Sequence, residues 1–250
     1  MADKMEIYYF SPTGGTKKVS SIFADAMEKE VIWKDLGSKE TMMEKPEGEM
    51  IVVAAPVFGG RIPSVVREKI EKLSGTGKKA VTIAVYGNRA YEDALLEMND
   101  ILMKCGFTVI ASGAFVAQHS MAPEVGAGRP DGEDEKEIHK FAESVKNSTA
   151  TENVHVPGNR PYKAEMNMPV TPISLPSCTK CGKCVTVCPT NAISITDGSI
   201  TTDTEKCILC MACTHVCAEQ ARILPPPLQQ KMEQMLGALK SVRNKNEVFL

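Results

Sequence analysis

Apolar positions in the first 148 residues follow two alternating rhythms. EIYYF (Glu6 to Phe10), VIWKDL (Val31 to Leu36), MIVVAA (Met50 to Ala55), AVTIAVY (Ala80 to Tyr86) and FTVIASGAFVA (Phe107 to Ala117) read as strands. Three of these runs are nearly continuous in apolar or β-branched residues, as parallel strands covered on both faces should be. Between them, segments 17–29, 64–73, 91–104 and 134–145 repeat their apolar residues at helical spacing. In the third, Ala94, Leu95, Met98, Ile101 and Leu102 make one stripe. Alternating strands and helices with short links predict an α/β domain, a doubly wound parallel sheet with helices on both sides. Five strands fit the smaller doubly wound order 2-1-3-4-5 better than a six-stranded dinucleotide domain.

The rhythm fixes the expected organisation: an α/β domain over 1–150, an extended linker over 151–175, a cysteine block over 176–225 and a terminal helix and tail over 226–250. Pro157, Pro161, Pro169, Pro172 and Pro176 punctuate the linker, which should lie along a surface. After Pro225, Pro226 and Pro227, the stripe Leu228, Met232, Met235, Leu236, Leu239 and Val242 reads as a helix docked on one of the domains, or alternatively as a dimerisation helix.

With a formal net charge of −2 the chain carries no electrostatic signature for nucleic acid or an anionic membrane. The longest apolar stretch, Met50 to Phe58, is far short of the roughly 20 residues that cross a bilayer. Asp3, Lys4 and Glu6 interrupt anything like a signal peptide, so a cytoplasmic location is expected. Of nine cysteines, Cys105 stands alone and reads as a packed small hydrophobe, and eight crowd between Cys178 and Cys217. In a reduced compartment they read as metal ligands, not disulfides.

The eight form two quartets that align at a shift of 29 residues. CTKCGKCVTVCP carries Cys178, Cys181, Cys184 and Cys188; CILCMACTHVCA carries Cys207, Cys210, Cys213 and Cys217. NAISI and QARIL, each expected to be a short strand, align beyond them. Each unit has the spacing C-x2-C-x2-C-x3-C, whose three close thiolates can hold one [4Fe–4S] cluster; in two-cluster ferredoxins, which the block resembles, the fourth ligand comes from the other quartet. This predicts one cluster on Cys178, Cys181, Cys184 and Cys217, and a second on Cys207, Cys210, Cys213 and Cys188. Zinc is the competing ion, but structural zinc sites separate pairs of ligands by a longer loop. Over 176–225 the sequence resembles the bacterial two-cluster ferredoxins, departing at Ala218 where the first quartet has Pro189. The cations between ligands are Lys180, Lys183 and Lys206. Their reading is a solvated face toward an acidic partner, and so little nearby positive charge implies low potentials.

A second candidate site begins at SPTGGT, Ser11 to Thr16, between the first strand and first helix. Alone it reads as a helix cap. Ser11, Thr13 and Thr16 alternate with Gly14 and Gly15, so hydroxyls and open N–H groups can also converge on a monophosphate at a helix N-terminus. No Walker pattern or GxGxxG accompanies it. SPTGGT resembles the phosphate loop of flavodoxins, and the resemblance extends over the first 150 residues. It implies FMN at the carboxyl ends of strands 1, 3 and 4. There lie APVFGGRIP, with Pro56, Val57, Phe58, Gly59 and Gly60, and YGNRAYED, with Tyr86, Gly87, Asn88, Arg89, Tyr91 and Asp93. Phe58 with Tyr91 or Tyr86 would flank the flavin ring, and Gly59, Gly60, Gly87 and Asn88 would bring backbone N–H groups to its polar edge. Read without the resemblance, the first loop is a common turn and Asn88 a cap.

With both parts, nearly the whole chain resembles the flavodoxin–ferredoxin fusion proteins of anaerobic bacteria and archaea, which implies FMN and two [4Fe–4S] clusters. The long loop AQHSMAPEVGAGRPDGED holds His119, either a hydrogen-bond or proton donor at the flavin or a structural hydrogen-bonder, and Arg129, which faces flavin, linker or solvent. The acidic run Glu133 to Glu137 reads as the first turn of the following helix. The expected function is electron transfer between clusters and FMN, as an oxidoreductase with a small-molecule acceptor or as a carrier between redox partner proteins. Exchange within one chain and exchange across a homodimer both stay open.

Overall fold

The computed structural model describes residues 4–41 and 45–250. Strands β1 (Lys4–Tyr9), β2 (Glu30–Asp35), β3 (Met50–Pro56), β4 (Lys79–Tyr86) and β5 (Thr108–Val116) run parallel in the order 2-1-3-4-5. Alternate residues of β3 enter opposite cores, Ile51, Val53 and Ala55 on one face and Val52 and Ala54 on the other. This is why the run is apolar throughout. Helices α1 (Gly15–Met27) and α4 (Gly132–Lys146) cover the second face, where Phe23, Phe115 and Phe141 stack at centroid distances of 5.5 and 5.6 Å. The acidic run does open α4, whose Asp131 and Asp134 form a capping box.

The other face is covered by α2 (Ser64–Ile70) and α3 (Ala94–Lys104). Asp93, Glu97 and Asp100 make an acidic row along α3, and the segment after residue 150 lies on it. Asp93 accepts from the backbone N–H groups of Asn159 and Lys163 (2.8 and 2.6 Å), and Asp100 takes both Arg160 and Tyr162. Arg61 bridges Glu97 and the Lys163 carbonyl. The proline-rich segment is extended but clasped along its length.

The cysteine block contributes β6 (Ile173–Ser174), α5 (Lys183–Thr186), β7 (Ile193–Thr196), β8 (Ser199–Thr202), α6 (Ala212–His215) and β9 (Arg222–Ile223), with β6 paired to β9 and β7 to β8. The 29-residue repeat is visible in the backbone. Lys180 and Leu209, Gly182 and Met211, and Asn191 and Gln220 are aligned pairs, and all six have positive φ. Beyond it come α7 (Pro226–Leu236), a 3-10 turn over Gly237–Ser241 and β10 (Glu247–Phe249). On α7, Leu228, Met232 and Leu236 are buried against Met121, Ala122 and Val125 from the loop after β5 and Leu209, Met211 and Leu224 from the cysteine block. Met235 and Val242 of the expected stripe stay largely exposed.

The sheet corrects the expected strand number: it has six, because β10 returns to pair antiparallel with β5. Three residues give no periodic signal, and side chains hold the strand in place. Arg243 forks onto Asp131, Asn246 accepts from the Val116 N–H (2.8 Å), and the Tyr86 hydroxyl donates to the Lys245 carbonyl (2.6 Å).

Candidate cofactor sites at the sheet edge and in the cysteine block

The SPTGGT turn enters α1 through Gly14, whose φ of 88° belongs to the left-handed region that only glycine takes without strain. Ser11 Oγ accepts from the Lys17 N–H at 2.9 Å, which folds the turn over the helix end. Gly14 itself offers no capping side chain and the first turn has no acidic residue, so no charge offsets the positive end of the dipole. Lys17 is drawn off onto the Tyr9 and Trp33 rings.

At the end of β3, Phe58 and Arg61 bond to each other across Gly59 and Gly60, with φ of 61° and 96°. Two positive values in succession give a turn that L side chains resist. Phe58 meets Phe10 edge-on at 6.5 Å. At the end of β4, Tyr86 is buried with its phenol pushed up to about 12, by burial and then by Glu247.

These loops surround a cavity of about 380 Å³ at the carboxyl edge of the sheet, the size of a small cofactor pocket. Of the expected residues, Ser11, Thr13, Gly15, Thr16, Pro56, Val57, Phe58, Gly59, Tyr86, Gly87, Arg89 and His119 line it. The roof is new: Ala164, Met166 and Met168 from the linker, Leu209 from the second quartet, and Met232, Met235 and Leu236 from α7. Such lining could not be read from the chain, because these segments have neither strand nor phosphate-loop patterning.

Five expected cofactor residues lie outside the cavity wall. Gly14 shapes the turn, and Gly60 packs against Glu92. Asn88, fully buried, gives its amide N–H groups to the Leu239 and Val242 carbonyls and accepts from the Asn244 N–H at 3.0 Å. Tyr91 donates to Glu247 at 2.6 Å and meets Tyr86 edge-on, so Tyr86 is the tyrosine on the wall. Asp93 holds the linker. The polar groups of the third loop therefore secure the chain that returns over it. Arg129 likewise faces none of its expected partners: it is buried on Asp134 and donates to the Asn244 carbonyl at 2.7 Å.

His119 Nδ1 accepts from the N–H groups of Met121 and Ala122, both at 3.2 Å, which leaves the proton of the neutral ring on Nε2. Burial, and secondarily Arg89, lowers its pKa to about 4. Near neutrality the ring is then neutral, with Nε2–H free to donate a hydrogen bond.

In the cysteine block, burial pushes the Cys210 thiol up to about 12, with Cys213, Cys188 and Cys207 adding to the shift as electrostatic neighbours. Residues of both quartets are thus electrostatic neighbours. Cys184 is a neighbour of Cys213 and of Cys178, while Cys181 is exposed. Cys188 and Cys217, at aligned positions, each accept a backbone N–H, from Ala192 (3.2 Å) and Ala221 (3.3 Å). Among the described residues no three His, Cys, Asp or Glu side chains close on one point as around a single ion; a four-iron cube is a larger body. The expectation of little nearby positive charge fails: Arg222, beyond the last ligand in sequence, is buried with Nη2 4.0 Å from Cys213 Sγ.

No helix among the described residues is long and apolar enough to cross a membrane. No curated protein matches the sequence. Residues 153–222 match the 4Fe-4S dicluster domain, a span that contains all eight clustered cysteines. Solved structures similar to the chain include oxidised flavodoxin 1 from Bacillus cereus (19% identity, TM-score 0.46, 58% of this chain and 99% of that one). A Fusobacterium nucleatum flavodoxin solved with flavin mononucleotide has 15% identity and a TM-score of 0.43, over 58% of this chain and 98% of its own. Rubredoxin oxygen:oxidoreductase from the anaerobe Desulfovibrio gigas has 14% identity and a TM-score of 0.45 over 58% of this chain, which spans only 35% of that protein. The strand order itself is that of the flavodoxin-like doubly wound sheet. The chain thus joins a flavodoxin-like α/β sheet to a 4Fe-4S dicluster domain carrying two clusters.

Proposed function

We propose that the chain binds FMN in the roofed cavity and relays electrons between it and the two clusters within one molecule. FMN holds one or two electrons and each cluster passes one, so the pair couples one-electron to two-electron steps. Ser11, Thr13 and Thr16, with the backbone of Gly14 and Gly15, would hold the phosphate at the N-terminal end of α1. Phe58 and Tyr86 would line the ring, and His119 Nε2–H would donate a hydrogen bond to it. Cys178, Cys181, Cys184 and Cys217 would hold one cluster; Cys188, Cys207, Cys210 and Cys213 the other.

One observation carries the reading: Leu209, the neighbour of Cys210, stands on the same cavity wall as Ser11, Thr13 and Thr16. It makes the second set the inner cluster. The first set, with exposed Cys181, becomes the outer one, open to a redox partner protein. The linker and α7 cover the flavin end against a protein, and Arg89, Lys163 and Lys231 line the same cavity, which favours a small acceptor there over a pure carrier. In this reading residues 1–150 bind FMN, 151–175 form part of the roof, 176–225 hold the clusters and 226–250 close the joint.

Anaerobic purification followed by iron, sulfide and flavin analysis tests it. About eight irons, two cubes of four, and one FMN per chain are expected. Stoichiometric zinc, or no FMN uptake after reconstitution, overturns it.

A further inference from the structure

Arg222 is 3% exposed, and no carboxylate pairs with it among the described residues. Nη1 donates to Ser174 Oγ at 3.1 Å and Nη2 to Thr202 Oγ1 at 2.9 Å, while Nε has no partner. A buried guanidinium held only by two hydroxyls is a costly arrangement unless an anion stands nearby. The candidates for that anion are cysteine sulfurs. Cys213 Sγ is 4.0 Å from Nη2.

We infer that Arg222 is the countercharge of the cluster held by Cys213, raising the reduction potential of that inner cluster. This rests on the ligand sets proposed above, in which Cys213 belongs to the inner cluster. Reduction adds one negative charge to a group that is already anionic. A fixed cation a few ångströms away, in a buried site, stabilises the reduced form more than the oxidised one. The inner cluster then draws electrons from the outer, toward the flavin side. Arg222 makes no bond to a reacting atom; it is a positioning and potential-setting residue. The sequence hides it because it aligns with Ile193 of the first unit, a position where nothing marks a charge as functional.

The test is an anaerobic redox titration of the full holoprotein, monitored by EPR, for wild type, Arg222→Lys and Arg222→Gln. Iron analysis comes first: a wild type with fewer than about eight irons defeats the cluster reading before any variant is made. With full iron, Arg222→Gln should lower the equilibrium constant for reducing one cluster at least tenfold, about 59 mV for one electron, and the other by less. Arg222→Lys should fall between. Unchanged midpoints in a fully loaded Arg222→Gln overturn the inference. Should that variant fail to assemble, wild type labelled with 15N-arginine decides by pulsed EPR of the reduced clusters. A guanidinium nitrogen coupling supports the inference, and its absence overturns it.

Discussion

At the scale of single residues, two cavity-wall side chains also hold local backbone: Ser11 Oγ accepts from Lys17 N–H, and His119 Nδ1 from Met121 and Ala122. In the proposed reading, replacing Ser11 or Thr13 by Ala removes one hydrogen bond to the phosphate without touching the core, and the Ser11 change also frees the Lys17 N–H. Each change should cost about 1 kcal/mol, roughly fivefold in Kd, measured by quenching of flavin fluorescence in titrations of the FMN-free protein. His119 carries a pH signature. The unfolded imidazole titrates near about 6.5, the folded one near 4. Between those values the unfolded chain binds more protons, so its contribution is complete above the upper value and is lost as pH falls toward the lower. Anaerobic thermal midpoints of the wild type should therefore drop more steeply over that window than those of His119→Gln, by on the order of 2 kcal/mol. Parallel slopes would show that the ring is not held neutral.

At the scale of elements, the helices and parallel strands were legible because each buries a continuous face, and faces leave periods in a sequence. The SPTGGT turn was legible as a strand-to-helix link for a different reason: its glycines supply the left-handed backbone at Gly14 and its hydroxyls sit at a helix end. What stayed hidden was held by single polar contacts. Asn88 and Tyr91 occur in a loop where either would suit a flavin, and only the returning tail shows that they secure Asn244 and Glu247. Arg222 was hidden likewise, since burial of a charge is a property of the packed module and not of its spacing. Asn88→Ala removes the part-buried bonds to Leu239, Val242 and Asn244 that tie the tail to the loop after β4. It should destabilise the protein by about 2 kcal/mol and speed proteolysis of the tail, with a smaller effect on FMN affinity than Ser11→Ala. Leu236→Ala acts at the joint between α7, the loop after β5 and the cysteine block, and a cavity there should cost about 2–4 kcal/mol, read as a lower thermal midpoint.

At the scale of the whole molecule, two modules with separate sequence signals share one roofed cavity. The acidic row on α3 holds the linker, the linker places Met166 and Met168 over the sheet edge, and the tail pins α7 across the opening. Neither module alone contains that roof, so the proposed relay would belong to their arrangement. The most direct measurement is flash photoreduction of the clusters in anaerobic holoprotein, followed by flavin absorbance over a range of protein concentrations. Transfer within one chain should give a first-order flavin signal whose rate does not change with concentration. A rate that rises in proportion to concentration would contradict the intramolecular relay.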